Sequence, residues 1–396
     1  MYDVIIIGGG PAGMMASIMA SRNKKVLLIE KNNKLGKKLE LTGGGRCNLT
    51  NLKDVNDFIK GIPVNNKFLY SVLNQFGPKE IYDYFTNLGV PLVVEDNDRV
   101  FPKDNKSRSI IEALHQQMIK QDVIINYNEQ VLSVEGIENY YKVVTNNNTY
   151  QTKKVIITTG GCSYPETGST GDGYKIAKTM NQEVTPLYPA ETFLIYKNNL
   201  PLAGITLEKV ILKYNKKNIK GSLLFTHTGL SGPVIFKISE DVYKQLQNNK
   251  YTTIEIDLTP DNSLNELLEK LIKFDQKKEM VSFVKEFLPK RLAEYVCKEE
   301  IGIKIGAMAN LNKQKIVSEL KNYKIEIKGT GSIEHAIVTG GGINLKNINP
   351  KTMESTINKN IYFAGEILDI HGHTGGYNIT IALSTGYAAG MSCKKD

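Results

Sequence analysis

Three glycines spaced as Gly8-x-Gly10-x-x-Gly13 follow directly on an apolar run at the start of the chain. In such spacing the first glycine allows a sharp turn, the second lets the backbone approach a pyrophosphate, and the third lets a helix pack on a strand. A helix beginning here would offer free N–H groups and a positive dipole end to phosphates. Glu30 ends the next apolar run, where its carboxylate can accept hydrogen bonds from ribose hydroxyls. The pattern predicts a dinucleotide site rather than a plain glycine-rich turn.

Four further glycine-rich segments follow. The run 41–48 holds three consecutive glycines, which suit backbone passing along a flat or anionic ligand and are unstable inside a helix. Segments 158–161 and 363–366 close two apolar runs, and 375–378 precedes a predicted helix whose N-terminus would stabilise a negatively charged reduced flavin. This distribution is typical of proteins that hold FAD, whereas a simple NAD dehydrogenase does not need the last segment. For the two glycine loops, a structural turn is the alternative.

Three side chains have the chemistry of a proton donor. Cys47 carries a thiol within the second glycine run, Tyr164 a phenol, and His227 an imidazole. Each has an ordinary alternative: a small buried apolar side chain, a packed ring and a hydrogen-bonded loop histidine, respectively. His371 and His373 flank one glycine but lack a third ligand at fitting spacing, so no metal site is predicted.

The composition indicates a globular protein of two or three domains. The chain has 396 residues, of which 41% are hydrophobic and 23% charged. It lacks an apolar run of about 18 residues, and its N-terminus lacks the basic region and cleavage site of a signal peptide, so we expect neither a membrane span nor a leader. The four cysteines are scattered without C-x-x-C spacing, which predicts a reducing, cytoplasmic setting.

The charge permits a polyanionic partner such as RNA. Lys and Arg number 50 against 41 Asp and Glu, giving +9 at pH 7. Arg46 is a candidate for binding a phosphate of a cofactor or of RNA. Further candidates for an RNA track are two lysine runs and interleaved tyrosines: Lys34-Lys37-Lys38, Lys213-Lys216-Lys217-Lys220, Tyr188, Tyr196 and Tyr214. A solvated surface, with lysine richness from the codon bias of an AT-rich genome, is the preferred interpretation of each run alone, and core or barrel packing is the preferred interpretation of the tyrosines.

These residues must be positioned by strands and helices, and the order of the apolar runs predicts which ones. It indicates an α/β fold with a doubly wound, FAD-binding Rossmann-like domain. The expected strands are 4–7, 26–29, 130–135, 140–144, 155–158 and 361–364, and the expected helices are 14–21, 107–120 and 377–390. The first two strands and their helix form a right-handed βαβ unit.

The spacing of apolar residues changes between residues 192 and 340, and this change predicts an inserted domain. Short alternating runs, including 206–214, 251–258, 323–327 and 336–339, indicate a β-barrel, and 264–320 has helical spacing. The predicted organisation is a first part of the FAD-binding domain at 1–191, an inserted barrel with a helical subdomain at about 262–322 inside 192–340, and the rest of the FAD-binding domain at 341–396.

Over nearly its whole length, the sequence resembles the BaiN/RdsA/YhiN-like family of NAD(P)/FAD-dependent flavoproteins. The segments that carry the resemblance are Gly8–Gly13 with Glu30, Leu41–Asn51, Phe101-Pro102, Gly160–Tyr174, Thr226–Pro233, Asn349–Ser355 and Phe363–Asn378. The resemblance implies an FAD enzyme that takes electrons from a transiently bound NAD(P)H. Some members are linked to reducing a uridine in large-subunit ribosomal RNA to dihydrouridine, and others to reducing a bile-acid ring. Both reactions reduce a C=C bond conjugated to a carbonyl.

The sequence and the resemblance together define an expected function and an expected site. The function is NAD(P)H-dependent reduction of a uridine in 23S ribosomal RNA; the alternatives are a small-molecule ene-reductase, a flavin-dependent RNA methylating enzyme and a non-enzymatic redox sensor. No membrane partner is expected, and the oligomeric state stays open. The expected FAD-binding residues are Gly8, Gly10, Pro11, Ala12, Gly13, Glu30, Lys31, Lys38, Thr42, Gly43, Gly44, Arg46, Cys47, Asn48, Val131, Thr159, Gly160, Gly161, Gly365, Glu366, Gly375, Gly376, Tyr377, Asn378 and Ile379.

Overall fold

The structure, a computed structural model, describes residues 1–394 and divides into two compact units: residues 1–188 with the segment from Ile333 onward, and residues 189–332. The strands are β1 (Tyr2–Ile7), β2 (Val26–Ile29), β3 (Thr50–Asn51), β4 (Leu92–Glu95), β5 (Arg99–Pro102), β6 (Ile124–Asn126), β7 (Val131–Ile137), β8 (Tyr140–Thr145), β9 (Thr149–Ile157), β10 (Tyr188–Pro189), β11 (Leu194–Tyr196), β12 (Thr206–Tyr214), β13 (Lys217–Phe225), β14 (Gly229–Ser231), β15 (Thr252–Asp257), β16 (Tyr323–Thr330), β17 (Thr339–Gly340) and β18 (Ile361–Phe363).

Twelve α-helices accompany these strands among the described residues. They are α1 (Pro11–Ala20), α2 (Val55–Lys60), α3 (Tyr70–Gln75), α4 (Pro78–Asn87), α5 (Ser107–Lys120), α6 (Asp172–Thr179), α7 (Pro233–Leu246), α8 (Leu264–Lys273), α9 (Met280–Val284), α10 (Lys290–Val296), α11 (Asn310–Lys321) and α12 (Tyr377–Ser392). Within the described residues, none of them is long and apolar enough to cross a bilayer.

The first unit is built on a seven-stranded sheet. Its order is β6-β2-β1-β9-β8-β7, and β18 also pairs with β9. The carboxyl half of β9 pairs in parallel with β1 and β18, while its amino half pairs antiparallel with β8. Because β1, β2, β9 and β18 run in one direction, their carboxyl ends share one edge of the sheet, the usual place for a nucleotide. The predicted α/β Rossmann-type fold is confirmed.

Helices α1 and α12 pack against each other through residues without large side chains. A Cβ at Gly386 would overlap the carbonyl oxygen of Ala12, and one at Gly390 would lie 2.5 Å from that of Ala16. The two helix backbones are therefore in contact, which fixes the N-terminal end of α1 relative to the last helix of the chain.

The second unit contains a closed barrel of six strands in the order β11-β14-β13-β12-β15-β16. Closure removes exposed strand edges, and the inward-facing Leu212, Phe225 and Ile254 are completely buried. The predicted β-barrel is therefore confirmed. The helical stretch predicted at 264–320 consists of four separate helices, α8 to α11, with Pro289 directly preceding α10.

The strand predicted at 336–339 is wrong for all but its last residue. Residues 336–338 form a bend after a single 3-10 turn at Ile333–His335, and only Thr339 enters β17. Ala336 and Val338 are buried nonetheless, so their apolar character reflects packing of a loop rather than pairing of a strand.

Replacing Lys321 with methionine is expected to lower the free energy of unfolding by about 3 kcal/mol. Its ammonium lies 2.7 Å from the Asp257 carboxylate, both side chains are largely buried, and it donates to the carbonyl oxygens of Thr259 and Asn262. Urea unfolding of the full chain measures the loss. Lys315→Met, on the same helix but in an exposed pair, is the control and should have a much smaller effect; equal losses would contradict the assignment.

Candidate functional site

The glycine-rich segments that follow β1, β9 and β18 meet at the carboxyl edge of the parallel strands. Gly8 comes directly after β1, with φ +102°, and a Cβ there would lie 2.8 Å from the carbonyl oxygen of Thr158. The Thr158 hydroxyl donates to the carbonyl oxygens of Ile7 and Gly8, at 2.9 and 2.8 Å. Gly365 lies after β18, and a Cβ on it would lie 2.9 Å from that of Ala12. Three segments distant in sequence thus form one rim.

Gly10 and Gly13 have different structural reasons to be glycine. A Cβ at Gly13 would overlap the Gly8 carbonyl oxygen, so packing of α1 on β1 requires it. Gly10 precedes α1 with φ −76° and ψ −177°, which any residue adopts, and a Cβ there would meet no atom within 4 Å. Pro11 then starts the helix. The space over the helix N-terminus is therefore open to an anionic ligand.

Glu30 is buried at this edge, with 7% of its surface exposed. Its Oε2 accepts the Gly9 N–H at 2.7 Å, and its Oε1 accepts both the backbone and side-chain nitrogens of Asn32, at 2.8 and 2.7 Å. A carboxylate has about four acceptor positions, so one remains for a hydroxyl of a ligand.

Lys31 and Val131 are brought to the same side as Glu30. The Lys31 ammonium lies 2.8 Å from Asp172 Oδ2, and the Gln130 side chain donates to the same oxygen at 2.9 Å. Val131 follows Gln130 as the first residue of β7 and is buried. These contacts join the chain after β2 to the start of β7.

Lys38 and Glu366 form the centre of a second network. The Lys38 ammonium lies 2.7 Å from Glu366 Oε2 and 2.7 Å from the Ser163 hydroxyl oxygen. Glu366 Oε1 accepts the Thr339 N–H at 3.0 Å and the Ser163 hydroxyl at 3.1 Å. Burial raises the pKa of Glu366, but the Lys38 charge and these hydrogen bonds outweigh it and hold the pKa below its usual range.

Replacing Lys38 with methionine is expected to lower the free energy of unfolding at pH 7 by about 2 kcal/mol, because Glu366 then lacks its cation. Both side chains are about a quarter exposed, so the expected loss is smaller than that for a fully buried pair. The Glu366 pKa is lowered in the folded state, so its contribution is present above the unfolded carboxyl pKa of about 4.3 and disappears as the pH falls through the folded value. Urea unfolding between pH 7 and pH 3.5 measures both effects.

Lys79→Met is the matched control for this prediction. Lys79 pairs with Asp83 at 2.6 Å, but both side chains are at least half exposed. Its loss should leave the stability nearly unchanged at every pH, because an exposed ion pair contributes little. If Lys38→Met costs no more than this, or if its cost persists unchanged at pH 3.5, the network does not carry the stability assigned to it.

The glycine run after Thr42 has left-handed backbone, as its composition predicts. A 3-10 segment at Leu39–Gly45 is broken by φ values of +59°, +66° and +88° at Gly43, Gly44 and Gly45. Cys47 also has positive φ, +59°, and its N–H bonds the Thr42 carbonyl oxygen at 3.0 Å. A Cβ at Gly44 would meet no atom within 4 Å, so this run also faces open space.

This run and the start of α12 share one surface. The Asn48 side-chain nitrogen donates to the Thr50 carbonyl oxygen at 3.1 Å, and its oxygen accepts the Gly376 N–H at 3.2 Å. A Cβ at Gly376 would lie 2.6 Å from the Thr50 carbonyl oxygen. The Thr380 hydroxyl is 2.8 Å from both the Gly376 carbonyl oxygen and the Thr50 hydroxyl. The predicted residues at 42–48 and 375–376 are therefore brought together.

The side chains that follow Gly376 are engaged within the protein. The Asn378 amide donates to the Gly372 carbonyl oxygen at 2.7 Å and accepts the Gly372 N–H at 2.8 Å. The Tyr377 ring packs on Phe58 at 4.7 Å, and Ile379 is buried. Any contact of these three predicted positions with a cofactor therefore involves their backbone N–H groups, which a helix start leaves unbonded.

The three proton-donor candidates lie in different surroundings. Cys47 is completely buried, and burial raises the pKa of its thiol to about 12, so the thiol is protonated at neutral pH. Tyr164 is partly exposed and has φ +54°, an uncommon conformation for a bulky side chain that is concentrated at functional sites. His227 is exposed in the turn between β13 and β14 of the second unit.

The remaining predicted positions extend the rim after β9. Gly160 has φ +75°, and a Cβ at Gly161 would overlap the Thr339 side chain. Thr159 precedes them, and its hydroxyl oxygen is buried without a hydrogen-bond partner. The sequence reasoning missed Thr339, Ser163 and Thr158, which hold the rim together; for Thr339, the available signal was its position before the glycines at 340–342.

The lining of this edge fits a dinucleotide with a flat ring system. Gly10 and Gly44, one in each of two glycine runs, leave open space where a Cβ would otherwise stand. Among residues 1–394, no group of three or more His, Cys, Asp or Glu side chains is placed to hold a metal ion. The fold and the site together define an FAD-dependent oxidoreductase with a Rossmann-type domain.

Comparison with known proteins agrees with this class. The chain belongs to the family described as HI0933-like protein Rossmann domain, which matches residues 2–392. It is 32% identical over 403 residues to the ribosomal RNA dihydrouridine synthase of Escherichia coli K12, covering 98% of this chain and 96% of the relative. It is 28% identical over 410 residues to the 3-dehydro-bile acid delta(4,6)-reductase of Clostridium scindens, covering 99% of each.

The fold is also shared with distant solved structures. The 3-ketosteroid-delta4-(5alpha)-dehydrogenase of Rhodococcus jostii RHA1 superposes with a TM-score of 0.53 at 13% identity, over 100% of this chain and 97% of that one. At this identity the likeness concerns the fold alone. The resemblance seen in the sequence is confirmed at the level of the family.

Proposed function

We propose that the chain binds FAD along the carboxyl edge of its parallel strands and uses NAD(P)H to reduce a carbonyl-conjugated C=C bond, with a uridine of 23S ribosomal RNA as the substrate. The observation that carries the FAD assignment is the open space at Gly10, at the N-terminus of α1, where the protein's own packing does not require glycine. The α1 N-terminus would hold the pyrophosphate, and Glu30 a ribose hydroxyl. The surface shared by Gly44 and Gly376 would hold the flavin ring.

FAD, once reduced, supplies the hydride for such a reaction. The chain supplies electrostatic stabilisation and a proton. The N-terminus of α12 places a positive dipole end beside the shared surface, which stabilises negative charge there. Of the three candidate donors, we favour Tyr164, because its phenol is partly exposed and belongs to the same unit as the proposed flavin surface. The Cys47 thiol is completely buried, and His227 belongs to the second unit.

The RNA assignment is supported by the full-length likeness to a ribosomal RNA dihydrouridine synthase and by the charge of +9. Mass spectrometry of 23S ribosomal RNA from a strain lacking this gene tests it. We expect one dihydrouridine to disappear and to return when the wild-type chain is expressed. An unchanged modification map in a strain shown to lack the protein would refute the RNA assignment and leave the FAD assignment standing.

A small-molecule ene-reductase is the second candidate, because most lysines of the proposed RNA track are already engaged. Lys34, Lys38 and Lys217 form ion pairs within the chain, and Lys37 and Lys213 donate to a carbonyl and an amide oxygen. The likeness to a bile-acid reductase supports the same reading. Anaerobic oxidation of NAD(P)H by the purified protein, driven by a steroid enone but not by ribosomal RNA, would favour this candidate.

A further inference from the structure

Arg46 follows the glycine run, and each of its three guanidinium nitrogens contacts another residue of the first unit, although about a third of the side chain is exposed. Nε donates to the Asn105 side-chain oxygen at 2.7 Å, while Nη1 and Nη2 both face the Glu95 carboxylate at the end of β4. The guanidinium also stacks on the Phe101 ring, 4.2 Å from its centroid. All three nitrogens therefore have a partner, and the two-pronged contact with a carboxylate is the strongest arrangement that arginine forms.

The same aromatic ring supports the glycine run. Phe101 lies on β5 and is 97% buried, and a Cβ added to Gly43 would lie 3.6 Å from its edge. The contacts thus form a continuous series: Glu95 holds Arg46, Arg46 covers the face of Phe101, and Phe101 underlies Gly43. Left-handed backbone at three successive glycines has little rigidity of its own, so these contacts are what hold the run in one conformation.

We propose that Arg46 is a positioning residue, which acts through Glu95 to hold the glycine run at 43–45 in the shape that receives the flavin ring. The inference rests on the proposed binding of FAD. It differs from the role of phosphate ligand considered from the sequence, because Glu95 already occupies the face of the guanidinium that binds two oxygens at once. A preorganised loop spends less of the binding free energy on ordering itself, so the Arg46–Glu95 pair tightens FAD binding without touching the cofactor.

The two roles predict opposite behaviour when Glu95 is changed. If Arg46 acts through Glu95, Glu95→Gln and Arg46→Met should each weaken FAD binding to the apoprotein by about tenfold, and the double variant should be no weaker than either single one. If Arg46 binds a phosphate directly, Glu95→Gln frees the guanidinium, and FAD should bind as tightly as before or more tightly.

The experiment titrates the full-length apoprotein with FAD and follows quenching of flavin fluorescence, together with the absorption spectrum of the bound flavin. Arg99→Met is the matched control: Arg99 stacks on the same Phe101 ring at 5.7 Å, but its Nε donates to a backbone oxygen of the hairpin. We expect a change below about twofold for the control and an altered flavin band only in the Arg46 and Glu95 variants.

Each outcome decides the proposal. Unchanged or tighter binding by Glu95→Gln overturns it, as does an equal loss in Arg99→Met, which would indicate a general effect of the hairpin surface. If Arg46→Met fails to fold, Glu95→Gln, which keeps the shape of the carboxylate, gives the same test alone. A wild-type apoprotein that takes up no FAD at all would instead refute the proposed function.

Discussion

Replacing Gly10 with alanine is expected to weaken FAD binding by about 100-fold or more while changing the stability of the apoprotein by less than about 1 kcal/mol. The backbone at Gly10 is in a conformation that alanine adopts freely, and the added Cβ would contact no atom of the protein. It would stand instead where a phosphate must approach the N–H groups of α1, and the loss of two charge-assisted hydrogen bonds costs about 3 kcal/mol or more. Titration with FAD and urea unfolding of the apoprotein measure the two quantities.

Gly13→Ala is the contrasting variant. Its Cβ would overlap the Gly8 carbonyl oxygen, so we expect it to destabilise the apoprotein as well as to impair FAD binding. A Gly10→Ala protein that binds FAD as tightly as wild type would mean that no phosphate approaches this helix end. In that case the placement of the cofactor proposed above would be wrong, whatever the enzymatic activity.

Tyr164→Phe is expected to slow reduction of the substrate by about 100-fold, because general acids typically contribute factors of about 100 to 10,000. The proton is needed only when the substrate is reduced. Bleaching of the flavin absorbance by NAD(P)H should therefore keep its wild-type rate, while reoxidation by the substrate slows. Stopped-flow absorbance of the two half-reactions, measured separately, distinguishes this role from a structural one.

Tyr141→Phe is the control for that experiment. Tyr141 lies on β8 of the same unit, is partly buried, and donates to the Lys359 carbonyl oxygen at 2.6 Å. Both half-reactions should stay within about twofold of wild type in this variant. Equal slowing of both half-reactions in Tyr164→Phe would assign the tyrosine to the shape of the loop, and unchanged turnover would leave the proton donor among Cys47, His227 and bound water.

The parts of the fold that the sequence predicted are those with a local physical signature. Strands buried on both faces, such as β1 and β2, are continuous apolar runs, and the glycines at their ends mark tight turns. The same reasoning failed at 336–339, where the apolar residues Ala336 and Val338 pack a loop into the core without pairing in a strand.

The contacts that hold the site were not predictable in the same way, because their partners are far apart in sequence. Lys38 pairs with a residue 328 positions away and Arg46 with one 49 positions away. Nothing in the neighbourhood of either basic side chain selects its acidic partner among the 41 Asp and Glu residues. Both were therefore considered as ligand-binding cations, and only the three-dimensional arrangement gives each one an internal partner.

The pairing of β18 with β9 and the packing of α12 on α1 have a consequence for biosynthesis. The β1–α1–β2 segment is translated more than 300 residues before the elements that complete its rim, which follow residue 360. The second unit, residues 189–332, is continuous in the chain and can fold while translation proceeds. The rim proposed to hold FAD is therefore incomplete until β18 and α12 have been made, so we expect the cofactor to bind only after they are in place.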